Sequence, residues 1–137
     1  MRDAQGNERV EIGEPGATFD LAGVDDHHAH FTRDGREDVA RALAGRDPER
    51  AAVLLAHDPN TFARARAEAI DLQLSGHTHG GQIWPFAWFV RLATPYVAGR
   101  YRAGRAQLYV SRGTGFWGPP MRIFAPAEIT LLKLQPA

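Results

Sequence analysis

The 137-residue chain contains no cysteine. That excludes disulfides, thiolate zinc sites and cysteine nucleophiles. No apolar run is long enough to span a bilayer, and no signal peptide or other targeting segment is visible. Lysine is almost missing: Lys133 stands against fifteen arginines. Acids nearly vanish from the second half. Residues 72–137 hold Glu128 alone beside six arginines and Lys133, a balance of +6, whereas residues 1–71 hold fifteen acids and nine arginines, a balance of −6. The cationic half favours anionic partners such as phosphates or an acidic lipid surface. At 44% apolar and 23% charged, the composition is that of one globular domain with a modest core. There is no internal repeat and no low-complexity tract.

What is present centres on Leu72-Gln-Leu-Ser-Gly-His-Thr-His-Gly-Gly-Gln-Ile83. A short apolar strand, Leu72–Ser75, runs into a glycine-flanked pair of histidines, His77 and His79. Small residues after a strand let backbone approach a ligand closely. An earlier segment repeats the design: Ala51–Ala56 is an apolar run that delivers His57, with Asp58-Pro59 behind it. In open α/β sheets, sites lie outside the carboxyl ends of the strands. Three neutral imidazoles gathered there suit Zn²⁺, Fe²⁺ or Mn²⁺. The bland alternative makes one or more of them a hydrogen-bonded core or surface histidine. Asp58 reads as a helix cap rather than a partner orienting an imidazole.

Along the chain, Arg9–Ile12 and Ala17–Ala22 read as strands joined by a turn at Gly13–Gly16. Asp34 to Gly45 reads as a helix, with Asp34 and Glu37 forming a capping box and Gly45 the stop. Asp58 or Asn60 caps a second helix from Thr61 to about Ile70. Strand, helix, strand over this distance predicts a crossover with both strands parallel. Trp84, Phe86, Trp88 and Phe89, with Tyr96, crowd a segment broken by Pro85 and Pro95. It is either a loop covering the site or a short helix at Ala87–Ala93. Gly99–Arg102 and Gln107–Ser111 suggest a hairpin, and Glu128–Leu134 a last strand.

Other residues compete for attention. His27, His28 and His30 lack apolar strand support and read as solvated loop, with Asp25 and Asp26 as turn residues ahead of carboxylate ligands. Ser111-Arg-Gly-Thr-Gly115 is either an anion cradle of backbone N–H groups or a structural turn. It lacks the lysine and the strand–loop–helix setting of a phosphate loop. Ser75 and Ser111 have nothing nearby to complete a nucleophilic triad.

Gly76-His-Thr-His-Gly-Gly-Gln82 resembles the GHTHGGQ signature of calcineurin-like metallophosphoesterases, in the bacterial phosphodiesterase-like branch, often membrane-associated. Leu54–Pro59 resembles the strand-borne LAHDP motif of that branch, Gly23–Asp26 the segment before it, and Ser111–Gly115 the glycine loop near its end. The resemblance runs from about Val10 to Leu134. It implies a four-layer α-β-β-α sandwich and hydrolysis of phosphate mono- or diesters at two divalent ions, Mn, Fe or Zn. It places His57 and His77 on the second metal, one of them through a nearby backbone group as an alternative, and His79 on the first. The family's Asp-x-His, Gly-Asp-x-x-Asp and Gly-Asn-His-Asp/Glu motifs do not occur here. The chain therefore reads as a single partial domain, 1–137, equivalent to the C-terminal half of the fold. Alone it holds one ion weakly or none, with little or no activity. The expected partners are a phosphate ester and a complementary N-terminal half or a second copy, with peripheral membrane contact and no specific nucleic acid. The expected location is cytoplasmic or peripheral to the bacterial membrane. Trp84–Phe89 is expected to be partly exposed. The rival readings are a non-catalytic metal-binding or interaction module and a mononuclear three-histidine zinc hydrolase.

Overall fold

Short apolar runs punctuated by glycine and proline produce six strands and three short helices among the described residues. The computed structural model describes residues 6–26 and 37–135. Strands β1 (Glu8–Glu14) and β2 (Ala17–Gly23) form an antiparallel hairpin. Its two-residue turn, Pro15-Gly16, uses proline's fixed φ and a positive φ of 87° at Gly16. Then follow α1 (Val39–Leu43), β3 (Ala52–Leu55), α2 (Phe62–Ala65), β4 (Leu72–Ser75), α3 (Ala87–Ala93), β5 (Gly99–Ala103) and β6 (Ala106–Val110). The sheet order is β1-β2-β3-β4-β6-β5. β2, β3, β4 and β6 are parallel neighbours, and β1 and β5 close the two edges antiparallel. The architecture is mixed α/β.

Register decides which side chains share a face. Ala22, Leu54, Gln73 and Leu108 lie in one row across the four parallel strands and are all fully buried. Val39, Ala42 and Leu43 of α1 and Phe62 and Ala65 of α2 complete the core on that side. Phe62 meets Tyr96 edge to face at 5.8 Å between centroids. The next row, Leu55, Leu74 and Tyr109, points to the opposite face, and there Leu55 is 44% exposed. The sheet is thus well covered on one side and partly bare on the other.

Three expectations are corrected. The helix read as Asp34–Gly45 spans Val39–Leu43, because Asp38 is extended (φ −135°) and its carboxylate caps the N–H of Arg41. Asp34 lies outside the described residues, while Gly45 follows the helix end with a φ of +68°. The helix read as Thr61–Ile70 is one α turn between 3₁₀ turns at Pro59–Thr61 and Arg66–Glu68, ended by a left-handed Ala69. Segment Glu128–Leu134 is not a strand. It pairs with neither edge of the sheet, and Ile129 and Leu131 stand more than 90% exposed. Among the described residues, no helix is long and apolar enough to cross a membrane.

Candidate metal centre

Four parallel strands deliver four chain segments to one end of the sheet. β2 leads into Val24–Asp26, β3 into Ala56-His57, β4 into Gly76–His79, and β6 into Ser111-Arg112. Backbone hydrogen bonds carry the sheet past its last paired residues: Val24 N–H to Leu55 O (3.1 Å), Gly76 N–H to His57 O (3.2 Å) and Ser111 N–H to Ser75 O (2.8 Å). The loops therefore leave from a fixed platform.

His57 and His77 meet there. Their ring centroids are 5.0 Å apart and the rings stand at 84°. Both residues are exposed, beside an open depression of about 390 Å³ floored by Leu55, Leu74, Ser75 and Gly76. The loop that carries His77 is unusual in its backbone. His77 (φ 66°), His79 (φ 50°) and Gln82 (φ 48°) are left-handed, as are Gly80 and Gly81. For non-glycine residues this costs roughly 1 kcal/mol or more each, strain of a kind that clusters at functional sites. It is sustained by anchors on both sides. Buried Thr78 donates its hydroxyl to Val97 O at 2.6 Å. Gln82, 1% exposed, accepts from the N–H of Trp117 (2.7 Å) and donates to the carbonyls of Trp117 (2.7 Å) and Pro119 (3.2 Å). A Cβ on Gly81 would sit 2.6 Å from Cα of Ala87, so only glycine fits against α3.

His79 is placed differently. Arg122 donates to its carbonyl (3.3 Å), and a terminal guanidinium nitrogen lies 3.2 Å from its Nδ1. The remaining candidates have structural partners. The carboxylate of Asp58 accepts from the N–H of Asn60 at 2.8 Å, a cap as expected. Asp25 accepts from the Asn7 amide at 3.1 Å. His27, His28 and His30 lie outside the described residues. Loop Ser111–Gly115 does hold an anion, its own Glu128. That carboxylate accepts from the N–H and guanidinium of Arg112 (3.2 and 3.0 Å) and from the Tyr109 hydroxyl (2.8 Å). Burial pushes the Glu128 pKa up, but the Tyr109 and Arg112 contacts outweigh it and hold it below the usual carboxylate value. Arg122 does not stand out in the sequence as a site residue, and Gln82 does so only as the end of the Gly76–Gln82 motif, with no role read for it. The crowding of glycine and proline between 113 and 120 is the one hint that this stretch folds back over the histidine loop.

Whether these residues fit a divalent ion can be tested on geometry. Two imidazoles sharing one cation at metal–nitrogen distances of about 2.0–2.1 Å hold their centroids roughly 5 Å apart. His57 and His77 meet that condition. His79 lies on the same loop, with a terminal guanidinium nitrogen of Arg122 3.2 Å from its Nδ1. No group of three or more histidine, aspartate or glutamate side chains suited to an ion occurs among the described residues.

Comparison with known proteins aligns nearly the whole chain with part of longer relatives. The chain is 44% identical over 133 residues to an uncharacterized metallophosphoesterase of Helicobacter pylori, covering 96% of this chain and 35% of that protein. An uncharacterized metallophosphoesterase of Campylobacter jejuni is 41% identical over 130 residues, 94% of this chain and 34% of the relative. A bovine transmembrane protein with metallophosphoesterase domain is 43% identical over 143 residues, 96% of this chain and 32% of the relative. The chain thus spans about a third of the length of the curated relatives it matches. No family model and no solved structure matches it. Over nearly all of its length, then, this chain is homologous to one part of uncharacterized bacterial metallophosphoesterases.

Proposed function

We propose that the chain is the C-terminal part of a metal-dependent phosphoester hydrolase domain, a phosphodiesterase or phosphomonoesterase. The observation that carries this reading is the contact between His57 and His77 at the carboxyl ends of neighbouring parallel strands. His57 and His77 hold one divalent ion, Mn, Fe or Zn, and His79 stands beside them at the same loop. A bound ion of this kind supplies Lewis acidity and an activated water. Imidazoles bring no negative charge, so a paired-ion site needs carboxylates from residues other than those described here. The half-bare sheet face, with Leu55 exposed, supports a second sheet packing on it to complete a four-layer sandwich, from a complementary N-terminal half or a second copy. Exposed Trp84, Trp88, Phe89 and Leu92 around α3 suit an apolar leaving group or peripheral membrane contact.

The test is hydrolysis of a bis-aryl phosphate with added Mn²⁺ or Zn²⁺, by this chain and by a longer protein containing it. Turnover by the longer protein that disappears on changing His57 or His77 supports the hydrolase. A second reading, a non-catalytic metal-binding module, is favoured by the lack of a three-ligand cluster among the described residues. Cation binding without turnover in either protein selects it.

A further inference from the structure

All three tryptophans of the chain lie on the surface. Trp84, Trp88 and Trp117 stand 57%, 68% and 49% exposed, although tryptophan is on average a highly buried residue. They belong to one neighbourhood. Phe86, at the start of α3, has its ring centroid 5.9 Å from that of Phe89 and 5.6 Å from that of Trp117. Trp84 meets Phe124 edge to face at 6.4 Å, and its N–H donates to Ile123 O at 3.0 Å. Leu92, one turn beyond Trp88, and Phe124 both project almost fully into solvent. The buried amide of Gln82 bonds Trp117 and Pro119 and so fixes the α3 segment against the loop after β6. The exposure is therefore built into the fold. Contiguous apolar surface of this kind marks a place where a chain meets something else.

We propose that this surface docks on an anionic lipid bilayer, with α3 and the loop from Trp117 to Phe124 entering the headgroup boundary. Charge decides among the occupants. Residues 72–127 contain six arginines and no acid. Arg105 is neutralised by Asp71 and Arg112 by Glu128. Arg122 is held by backbone carbonyls, which leave its charge uncancelled. Arg91 stands exposed on α3 beside Leu92. Indole and phenyl rings set among cations suit the layer where acyl chains give way to phosphate headgroups. A second copy meeting the patch across a two-fold axis would set arginine against arginine with no acid between them. A complementary part of the domain has another place to pack, the half-bare sheet face with Leu55. The segment after α3 lies on the covered side instead, where Tyr96 packs on Phe62 of α2. One apolar leaving group would occupy few of these rings, whereas their spread over two chain segments fits a surface. The proposal rests on this surface chemistry and not on the hydrolase reading.

The test is flotation of the metal-free chain, and of a longer protein containing it, with two kinds of vesicle: phosphatidylcholine alone, and phosphatidylcholine mixed with phosphatidylglycerol. Both proteins should float with the mixed vesicles, and at least about tenfold less with phosphatidylcholine alone. Tryptophan emission should shift to the blue and be quenched by lipids brominated on their acyl chains. The double variant W88S/L92S changes only exposed side chains and should lose binding on the order of tenfold or more. R91E should narrow the preference for the mixed vesicles. No flotation by either protein overturns the proposal, as does unchanged flotation of a folded W88S/L92S or a preference unchanged in R91E. Flotation without a blue shift or quenching also overturns it, because headgroup attraction alone would then account for the binding. Flotation of the short chain but not of the longer one would mean that the rest of the protein covers the patch, and a dimer that W88S/L92S dissociates, with no lipid binding, would select a second copy. Either result overturns the proposal. If W88S/L92S fails to fold, R91E and the quenching decide. Lipid binding is read without metal and turnover with it, so loss of one leaves the reading of the other standing.

Discussion

Gln82 and Glu128 show how single polar side chains hold this site in place. The Gln82 amide is buried and spends both ends on Trp117 and Pro119. Replacing it with leucine keeps the volume but orphans the N–H and carbonyl of Trp117. Urea denaturation of Q82L is expected to show a loss of about 1–3 kcal/mol. An unchanged midpoint would mean that water takes over those bonds. Glu128 gives a pH dependence whose sign follows from its lowered pKa. A carboxylate that binds protons less readily when folded stabilises the fold above its ordinary value of about 4.5. That contribution fades as pH falls through the folded value. E128Q should therefore flatten the acid limb of the stability profile below about pH 5 and leave the trend at neutral pH and above unchanged. Thermal melts across that range check it.

Among the elements, the strands were legible in the sequence and the helices only in part. β3 and β4 are parallel strands buried among neighbours. A continuous apolar run, Ala52–Leu55, announces β3, whereas β4, Leu-Gln-Leu-Ser, is marked by its leucines and the glycine that follows. The β5–β6 hairpin and α3 stand where their residues suggest. Helix ends were misplaced because local caps won over apolar periodicity: Asp38, not a residue further upstream, satisfies the first N–H groups of α1. Glu128–Leu134 has a strand's composition but joins neither sheet edge; the Glu128 carboxylate is bound by Arg112 and Tyr109, long-range contacts that no local pattern carries. The two motif histidines at 57 and 77 were visible from their position after strands. The commitment of His79 to Arg122, forty-three residues away, was not. Nor could spacing tell which glycines of the loop are obligatory. Gly81 abuts Ala87 of α3, whereas a Cβ on Gly76 meets nothing within 4 Å. G81A is accordingly expected to cost at least about 1–3 kcal/mol by displacing α3, with G76A nearly neutral. Chemical denaturation of the pair separates them, and equal losses would contradict the packing described for the loop.

For the molecule as a whole, charge and surface point in one direction. The acidic first part and basic second part, −6 and +6, are folded into one sheet. The histidine-bearing end draws two of its four segments from each part, Val24–Asp26 and Ala56-His57 from the acidic one and Gly76–His79 and Ser111-Arg112 from the basic one. The same sheet shows a half-bare face with Leu55 exposed, next to the His57–His77 depression. On the proposed reading, a second sheet packs on that face and brings the negative charge that a pair of ions needs. Calorimetric titration of the metal-free chain with Mn²⁺ and Zn²⁺ addresses this most directly. One ion per chain is expected, with affinity falling on the order of tenfold or more in H57A and in H77A and little changed in H79Q. Equal affinity in wild type, H57A and H77A would show that the two rings do not share a cation.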